Sequence, residues 1–165
     1  MKAANPYLIS TAQISDCGAY RYALERAWSI GTSRMLFVGL NPSTADWVSD
    51  DPTIRRCVHF AKREGHDGLL MGNLFAFRTK SPAELRKAPL PVGSENDYWL
   101  EKLAERATQV VLAWGNHGRL LGRDRLVAVK FKGADCFGIT KDGQPIHPLY
   151  QRSNALLRAF AGIHP

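Results

Sequence analysis

Three short segments of this chain are almost continuously apolar, and each ends at a polar residue or a glycine: Arg34 to Leu40, Gly68 to Asn73 and Gln109 to Trp114. A strand that is buried on both faces has such an unbroken run, whereas a strand with one solvent face alternates apolar and polar residues. Helical patterns occupy the stretches between them, at Pro52 to Glu64 and at Glu95 to Ala107. Because parallel strands need a crossover connection, usually a helix, this order predicts an α/β fold.

The rest of the chain extends this pattern. Alternate apolar positions at Tyr20, Tyr22 and Leu24 predict an N-terminal edge strand. The last third predicts a helix, a strand and a final helix, at Arg119 to Phe131, Ala134 to Gly138 and Ser153 to Ala161. We therefore expect one domain over residues 1–165, a three-layer α/β/α sandwich with a central, mostly parallel sheet of about four strands and the added N-terminal edge strand.

Composition narrows the class of protein. Hydrophobic residues make up 45% and charged residues 22% of the chain, which is close to the globular average and excludes a disordered or fibrous protein. The longest apolar runs hold about six residues, far fewer than a membrane-spanning helix needs. Three widely spaced cysteines do not form a disulfide framework, so we expect reduced thiols and a cytoplasmic location.

The charge distribution favours a polyanionic partner. The net charge is +7, and eight basic residues but only three acidic ones follow Gly118. Such an excess is typical of nucleic-acid-binding surfaces, although an ordinary solvated surface explains it about as well. Lys132, Lys141 and Arg152 are the candidate phosphate contacts.

Polar residues at the predicted strand ends are the candidates for chemistry, because ligands of open α/β sheets bind outside the carboxyl ends of the strands. Asn41 follows the first core strand and Asn73 ends the second. His147 lies in a loop bracketed by Pro145 and Pro148. Each has a structural alternative, since Asn is common in turns and a lone loop histidine is often incidental.

Taken in order, these motifs resemble the uracil-DNA glycosylase superfamily: Gly39-Leu40-Asn41-Pro42, Gly68 to Asn73, Val110 to His117 and His147-Pro148. Nearly the whole chain also resembles domain-of-unknown-function family 1643, through Asn41 to Asp46, Asp50 to Cys57, Glu95-Asn96-Asp97 and His147 to Tyr150. The second resemblance names a family without naming a reaction.

The glycosylase resemblance implies an N-glycosidic bond hydrolase that acts on a base extruded from a nucleic acid. It implies that Asn41 positions water, Asn73 reads the base edge, and His147 donates to the departing base. The implied base contacts also include Gly39 and Phe75, and the implied nucleic-acid contacts include Ser43 and Arg78. Trp47 and Phe60 are further candidates for stacking on the base. Ser43 and Leu149-Tyr150 depart from the glycosylase motifs, so the resemblance does not extend to the loop that opens duplex DNA.

Three alternatives remain. The chain could bind a nucleobase or nucleic acid without cleaving it, since Asn41 is no strong general base, or it could act on free nucleosides. A metal-dependent phosphoesterase built on Asp50 and Asp51 is disfavoured, because adjacent carboxylates point differently and no histidine cluster accompanies them. We expect both to serve the helix that starts at Pro52, as dipole partner and cap, and we expect no metal and no cofactor.

Overall fold

The structure is a computed structural model, and it describes residues 4–163. Its centre is a seven-stranded sheet in the order β1-β2-β4-β3-β5-β6-β7. The strands, in chain order, are Ile9–Ile14, Arg21–Ala27, Arg34–Gly39, Gly68–Asn73, Gln109–Leu112, Asp135–Cys136 and Arg158–Ala159. The apolar runs that predicted three core strands correspond to β3, β4 and β5, so this part of the prediction is confirmed.

The sheet is mixed, and the prediction of a mostly parallel sheet of about four strands is wrong. Strands β4, β3, β5 and β6 are parallel, but β1 and β2 pair antiparallel on one side and β7 pairs antiparallel with β6 on the other. Strand β2, the predicted edge strand, is buried at every position because β1 covers it. Strand β1 has no continuous apolar run, because Ser10, Thr11 and Gln13 interrupt its apolar residues.

Within residues 4–163, four α-helices flank the sheet: α1 (Pro52–Arg63), α2 (Pro82–Lys87), α3 (Asn96–Arg106) and α4 (Arg123–Ala128). The predictions of α1 and α3 are confirmed to within a residue or two. The predicted helix at Arg119 to Phe131 is shorter, because a 3-10 helix at Asn116–Gly122 precedes it. The predicted helix at Ser153 to Ala161 is wrong, since this segment contributes strand β7.

Alternate residues of β3 belong to two different cores. Leu36 and Val38 pack in a cluster with side chains from α2, α3 and α4. Met35 and Phe37 pack in a second cluster, with α1. Since successive side chains of a strand point to opposite faces, helices cover both faces of the sheet, and three layers result. None of the helices within residues 4–163 is long and apolar enough to cross a membrane.

The strand order also marks where a ligand fits best. The chain leaves β3 towards α1 on one face and leaves β5 towards α4 on the other, so the two neighbouring strands feed opposite layers. At such a switch point the loops diverge and leave a crevice beyond the carboxyl ends of the strands. We therefore expect the residues after β3 and β5 to line the binding site.

A candidate ligand-binding site at the carboxyl ends of the strands

A cleft of about 430 Å³ opens at this switch point. Its walls come from the segments that follow β3 and β5 and from the loop around His147. This volume lies in the range of small-molecule sites, which are about 300–1,000 Å³. The fold therefore provides a cleft of ligand size where the topology predicts one.

A smaller cavity of about 30 Å³ lies beside the cleft and shares Leu40, Asn41 and His147 with it. Asn73 also lines this cavity. The three predicted chemical residues, Asn41, Asn73 and His147, thus come together although 106 positions of the sequence separate the first from the last. The roles assigned to them stay predictions.

Asn41 has a fixed amide orientation. Its Nδ2 atom donates to the carbonyl oxygens of Pro42, Phe77 and Thr79, at 3.1, 3.1 and 2.9 Å. These bonds tie the loop after β3 to the loop after β4, and they require the nitrogen to face the carbonyls. Within residues 4–163 no group donates to the Oδ1 atom. Asn41 is therefore a structural staple whose remaining acceptor can serve a ligand or a water.

His147 has a defined tautomer. It caps the 3-10 turn at Pro148–Tyr150, and its Nδ1 atom accepts a hydrogen bond of 3.2 Å from the Leu149 backbone N–H. Burial lowers the pKa of this imidazole, and the negative charge of Asp51 opposes that effect only partly. A neutral ring with an accepting Nδ1 carries its proton on Nε2. His147 thus presents a neutral N–H donor to the cavity that it lines.

The loop that carries His147 is fastened to β5 by buried polar groups. The Gly115 backbone N–H donates to Pro145 O at 2.8 Å. The Trp114 indole donates to Gln144 Oε1 at 2.8 Å, and Gln144 Nε2 donates to Asp124 Oδ2 at 2.9 Å. All three side chains in this chain of bonds are at most 3% exposed. A satisfied buried network of this kind holds the imidazole in one place.

Asn73 is almost completely buried at the end of β4, with 2% of its surface exposed. Its Oδ1 atom has no hydrogen-bond partner among the described residues. Gly39 makes room for it, because a Cβ atom at position 39 would lie 2.9 Å from that oxygen. A buried acceptor without a partner costs about 1–3 kcal/mol, so the site retains an unfavourable group that a ligand N–H would satisfy.

The other predicted site residues divide into two groups. Ser43 lines the small cavity and donates to Asp51 Oδ2 at 2.9 Å. Arg78 lies behind it, with its Nε atom 3.4 Å from Ser43 O. Phe75 is completely buried in the core and lines neither the cleft nor the small cavity, and its contact with a base stays a prediction. Phe60 is buried likewise, whereas Trp47 is exposed and lines neither the cleft nor the small cavity.

The predicted phosphate contacts do not share one surface. Lys141 follows Thr140, which lines the cleft, and Arg152 is exposed just beyond the 3-10 turn that His147 caps. Lys132, however, lies beside the first residues of β5 and β6, at the amino ends of the strands. The prediction that Lys132 lies near the His147 loop is therefore wrong, because α4 carries the chain back to the amino edge of the sheet and Lys132 lies between α4 and β6.

Sequence reasoning missed several residues at the site. Arg21 lines the small cavity, although its place in an alternating strand pattern gave no sign of a site. Lys80 and Tyr150 line the cleft, and Tyr150 is 83% exposed. The Tyr150 ring centre is 5.8 Å from that of His147. An exposed aromatic ring beside a ligand-sized cleft is a candidate stacking surface, and its position three residues after His147 could have indicated it.

The two aspartates that precede α1 act as structural residues. Asp51 caps the helix, since its Oδ1 atom accepts from Ile54 N at 2.9 Å, as the sequence predicted. Asp50 has a contact that the sequence did not predict, an ion pair of 2.9 Å between its Oδ1 atom and Nε of the buried Arg26. Among the described residues, no group of three or more histidine, cysteine, aspartate or glutamate side chains has the geometry to hold a metal.

Comparison with known proteins adds a family and no reaction. A family model described as "Protein of unknown function (DUF1643)" matches residues 21–149. This range includes Arg21, Asn41, Asn73 and His147, and so it covers the whole of the small cavity. No curated protein and no solved structure matches the chain.

Proposed function

The chain belongs to the DUF1643 family, and we propose that it binds a single nucleobase at the carboxyl ends of β3, β4 and β5 and hydrolyses the N-glycosidic bond of that base. The base belongs to an oligonucleotide from which it is extruded. The observation that carries the proposal is the pairing of an oriented Asn41 acceptor with a neutral His147 donor on one small cavity. The motif resemblance to uracil-DNA glycosylases supports the same assignment.

The chemistry needs few protein groups. As the bond between C1′ and the base nitrogen breaks, its electron pair leaves with the base, and the sugar becomes cationic. A donor aimed at a base oxygen stabilises the negative charge where it develops. His147 Nε2–H is that donor, and because the ring is neutral it favours the base anion by a hydrogen bond without transferring a proton.

Water completes the reaction at C1′. Asn41 Oδ1 accepts a hydrogen bond from this water and holds it near the sugar, and the amide cannot remove a proton from it. The water adds once the sugar is strongly cationic, and its proton leaves to solvent after the bond forms. The released base anion gains a proton from solvent, so atoms and charges balance.

The rim of the cleft suits a nucleic acid strand. Lys80 and Tyr150 line the cleft, and Lys141 lies next to it. Basic side chains neutralise phosphates, and an exposed aromatic ring stacks on bases of any sequence. The leaving-group loop carries Leu149-Tyr150 where the glycosylases that it resembles have Ser-Pro, so a single strand is the favoured substrate.

A screen of oligonucleotides tests the proposal. Purified protein is incubated with single-stranded and duplex oligonucleotides that carry uracil or other modified bases, and alkaline cleavage then reveals abasic sites. We expect His147→Ala to lower turnover by about a hundredfold, the usual loss when one transition-state donor is removed. Asn41→Ala should lower turnover more than affinity. His59→Ala, an exposed histidine on α1, is the matched control.

One observation favours a second function, binding without hydrolysis. Both hydrogens of the Asn41 amide are committed to backbone carbonyls, which is enough to explain the residue as a loop staple. A site of this kind recognises a base and has no group to activate water. Strand binding with no abasic product from any oligonucleotide, and no base released from free nucleosides, would establish this second function and exclude the first.

A further inference from the structure

A buried arginine without an ion pair lines the small cavity. Arg21 is 2% exposed, and its guanidinium forms no salt bridge within residues 4–163. Its Nη1 atom donates to Ala45 O at 2.8 Å, and its Nε atom has no partner among the described residues. Burial lowers its pKa to about 10, so the group is still cationic at neutral pH. The protein thus keeps a charged donor incompletely bonded beside Asn73 and His147.

The other buried arginines of the sheet differ from Arg21. Arg26 forms an ion pair with Asp50, and Arg34 forms one with Glu25, each at 2.9 Å. Burying an unpaired charge destabilises the folded state, so a buried and unpaired arginine indicates a role other than stability, such as ligand binding. Of these three buried arginines, Arg21 is the one that lines the small cavity at the carboxyl ends of the strands.

We propose that Arg21 is a specificity-determining residue that binds a carbonyl oxygen of the ligand, while Asn73 Oδ1 accepts from the ring N–H next to that carbonyl. The inference rests on the proposed binding of a nucleobase in this cavity. Arg21 supplies an unpartnered donor and Asn73 Oδ1 an unpartnered acceptor, on two side chains that line one cavity, and a ring edge of the form O=C–N–H satisfies both. An edge of the form H₂N–C=N places donor against donor and acceptor against acceptor.

The charges around the cavity favour a neutral ligand group over an anion. Asp51 lines the same cavity and is 6% exposed, so its carboxylate balances the Arg21 charge without contacting it closely enough for an ion pair. A phosphate or carboxylate in this space would meet Asp51 at short range, and a neutral carbonyl does not. The volume of about 30 Å³ is enough for roughly two water-sized groups, which matches the edge of a ring.

The test uses 1-methyluracil and 1-methylcytosine, which differ at this edge and have no glycosidic bond to cleave. The Arg21 Nε–H resonance of ¹⁵N-labelled protein is identified by its loss in Arg21→Lys and followed during titration with each compound. We expect a saturable shift with 1-methyluracil, and affinity for 1-methylcytosine at least tenfold weaker. In Arg21→Lys, 1-methyluracil affinity should fall about tenfold or more, as for loss of one hydrogen bond to a charged group.

Arg34→Lys is the control, since Arg34 is buried at the amino end of β3, away from the cavity. It should leave both affinities unchanged. The inference is overturned if 1-methyluracil does not bind wild-type protein, if it binds without moving the Arg21 resonance, or if Arg21→Lys keeps the wild-type preference. If Arg21→Lys does not fold, the Arg21 Nε–H resonance is assigned from the backbone by triple-resonance experiments, and the wild-type titration remains decisive. Selective binding of 1-methyluracil without abasic product would support the role of Arg21 and exclude the proposed hydrolysis. Abasic product with an unmoved Arg21 resonance would support hydrolysis and exclude the role of Arg21.

Discussion

Replacing Asp50 by alanine should destabilise the protein strongly, because it leaves a buried charge without its partner. The Arg26 side chain is 0% exposed and donates from Nε to Asp50 Oδ1 at 2.9 Å, and the Asp50 side chain is 15% exposed. The other Arg26 donors reach only the neutral backbone carbonyls of Thr11, Glu25, Asp46 and Ser49. No second carboxylate pairs with it within residues 4–163.

The magnitude follows from these contacts. Removing one partner of a buried ion pair costs about 3–5 kcal/mol, since the remaining charge has lost its solvent and its counterion. Asp50→Ala also removes the acceptor of the Tyr7 hydroxyl, 2.6 Å away, which adds about 1 kcal/mol. Asp50→Asn keeps an acceptor for Arg26 and should cost less than the alanine variant.

Urea unfolding followed by far-ultraviolet circular dichroism measures the loss as a lower midpoint at an unchanged slope. The matched control is Glu105→Ala, which breaks an ion pair with Lys102 whose side chains are 63% and 46% exposed. Such a surface pair is worth about 0–1 kcal/mol. If Asp50→Ala unfolds at the same urea concentration as Glu105→Ala, Asp50 does not support Arg26. Metal-dependent catalysis that Asp50→Ala abolishes with stability intact would restore the phosphoesterase hypothesis.

Three further outcomes are expected. The His147 ring should titrate below the usual histidine range in an NMR pH series, and a midpoint at or above about 6.5 would contradict the burial argument. Between the two pKa values the unfolded chain binds more protons than the folded protein does, so the free energy of unfolding should decrease as the pH falls from about 6.5 towards the folded-state pKa. Gly39→Ala should cost about 1–3 kcal/mol in thermal unfolding and abolish 1-methyluracil binding, because its Cβ atom would occupy the cavity wall, and unchanged binding would show that the cavity is not used. The affinity for a single strand, measured by fluorescence anisotropy, should fall steeply with salt. It should also fall in Lys80→Ala and Lys141→Ala but not in Lys132→Ala, and an equal loss of affinity in all three variants would mean that no single face binds the strand.

Part of the candidate site could be predicted from sequence because it follows from the strand ends. A buried parallel strand must be apolar throughout, so the first polar residue after it identifies the carboxyl edge of the sheet. Asn41 and Asn73 were found in this way, and Asp51 was recognised as a cap from its place before Pro52. These are local signals, and they depend on a few neighbouring residues.

Arg21 shows what local signals cannot give. In the sequence it is a polar residue in an alternating strand, where a solvent-facing position is the ordinary expectation. Its burial depends on β1, which covers β2, and on the loop of residues 43–51, whose Ala45 carbonyl accepts from it. Lys132 is the converse case, because its charge is evident from the sequence but its place at the far edge of the sheet depends on the path of the chain.

The three core strands, the helices α1 and α3 and the polar residues at the strand ends follow from local sequence, because the pattern that a residue forms with its near neighbours sets its secondary structure and its face. Tertiary structure alone decided that β1 and β7 extend the sheet, that Phe75 is buried away from the cleft, and that an unpaired arginine meets Asn73 in one cavity. The physical reason is that strand pairing and cavity walls join residues far apart in the chain, and the free energy of those contacts depends on the packed fold and not on any one segment.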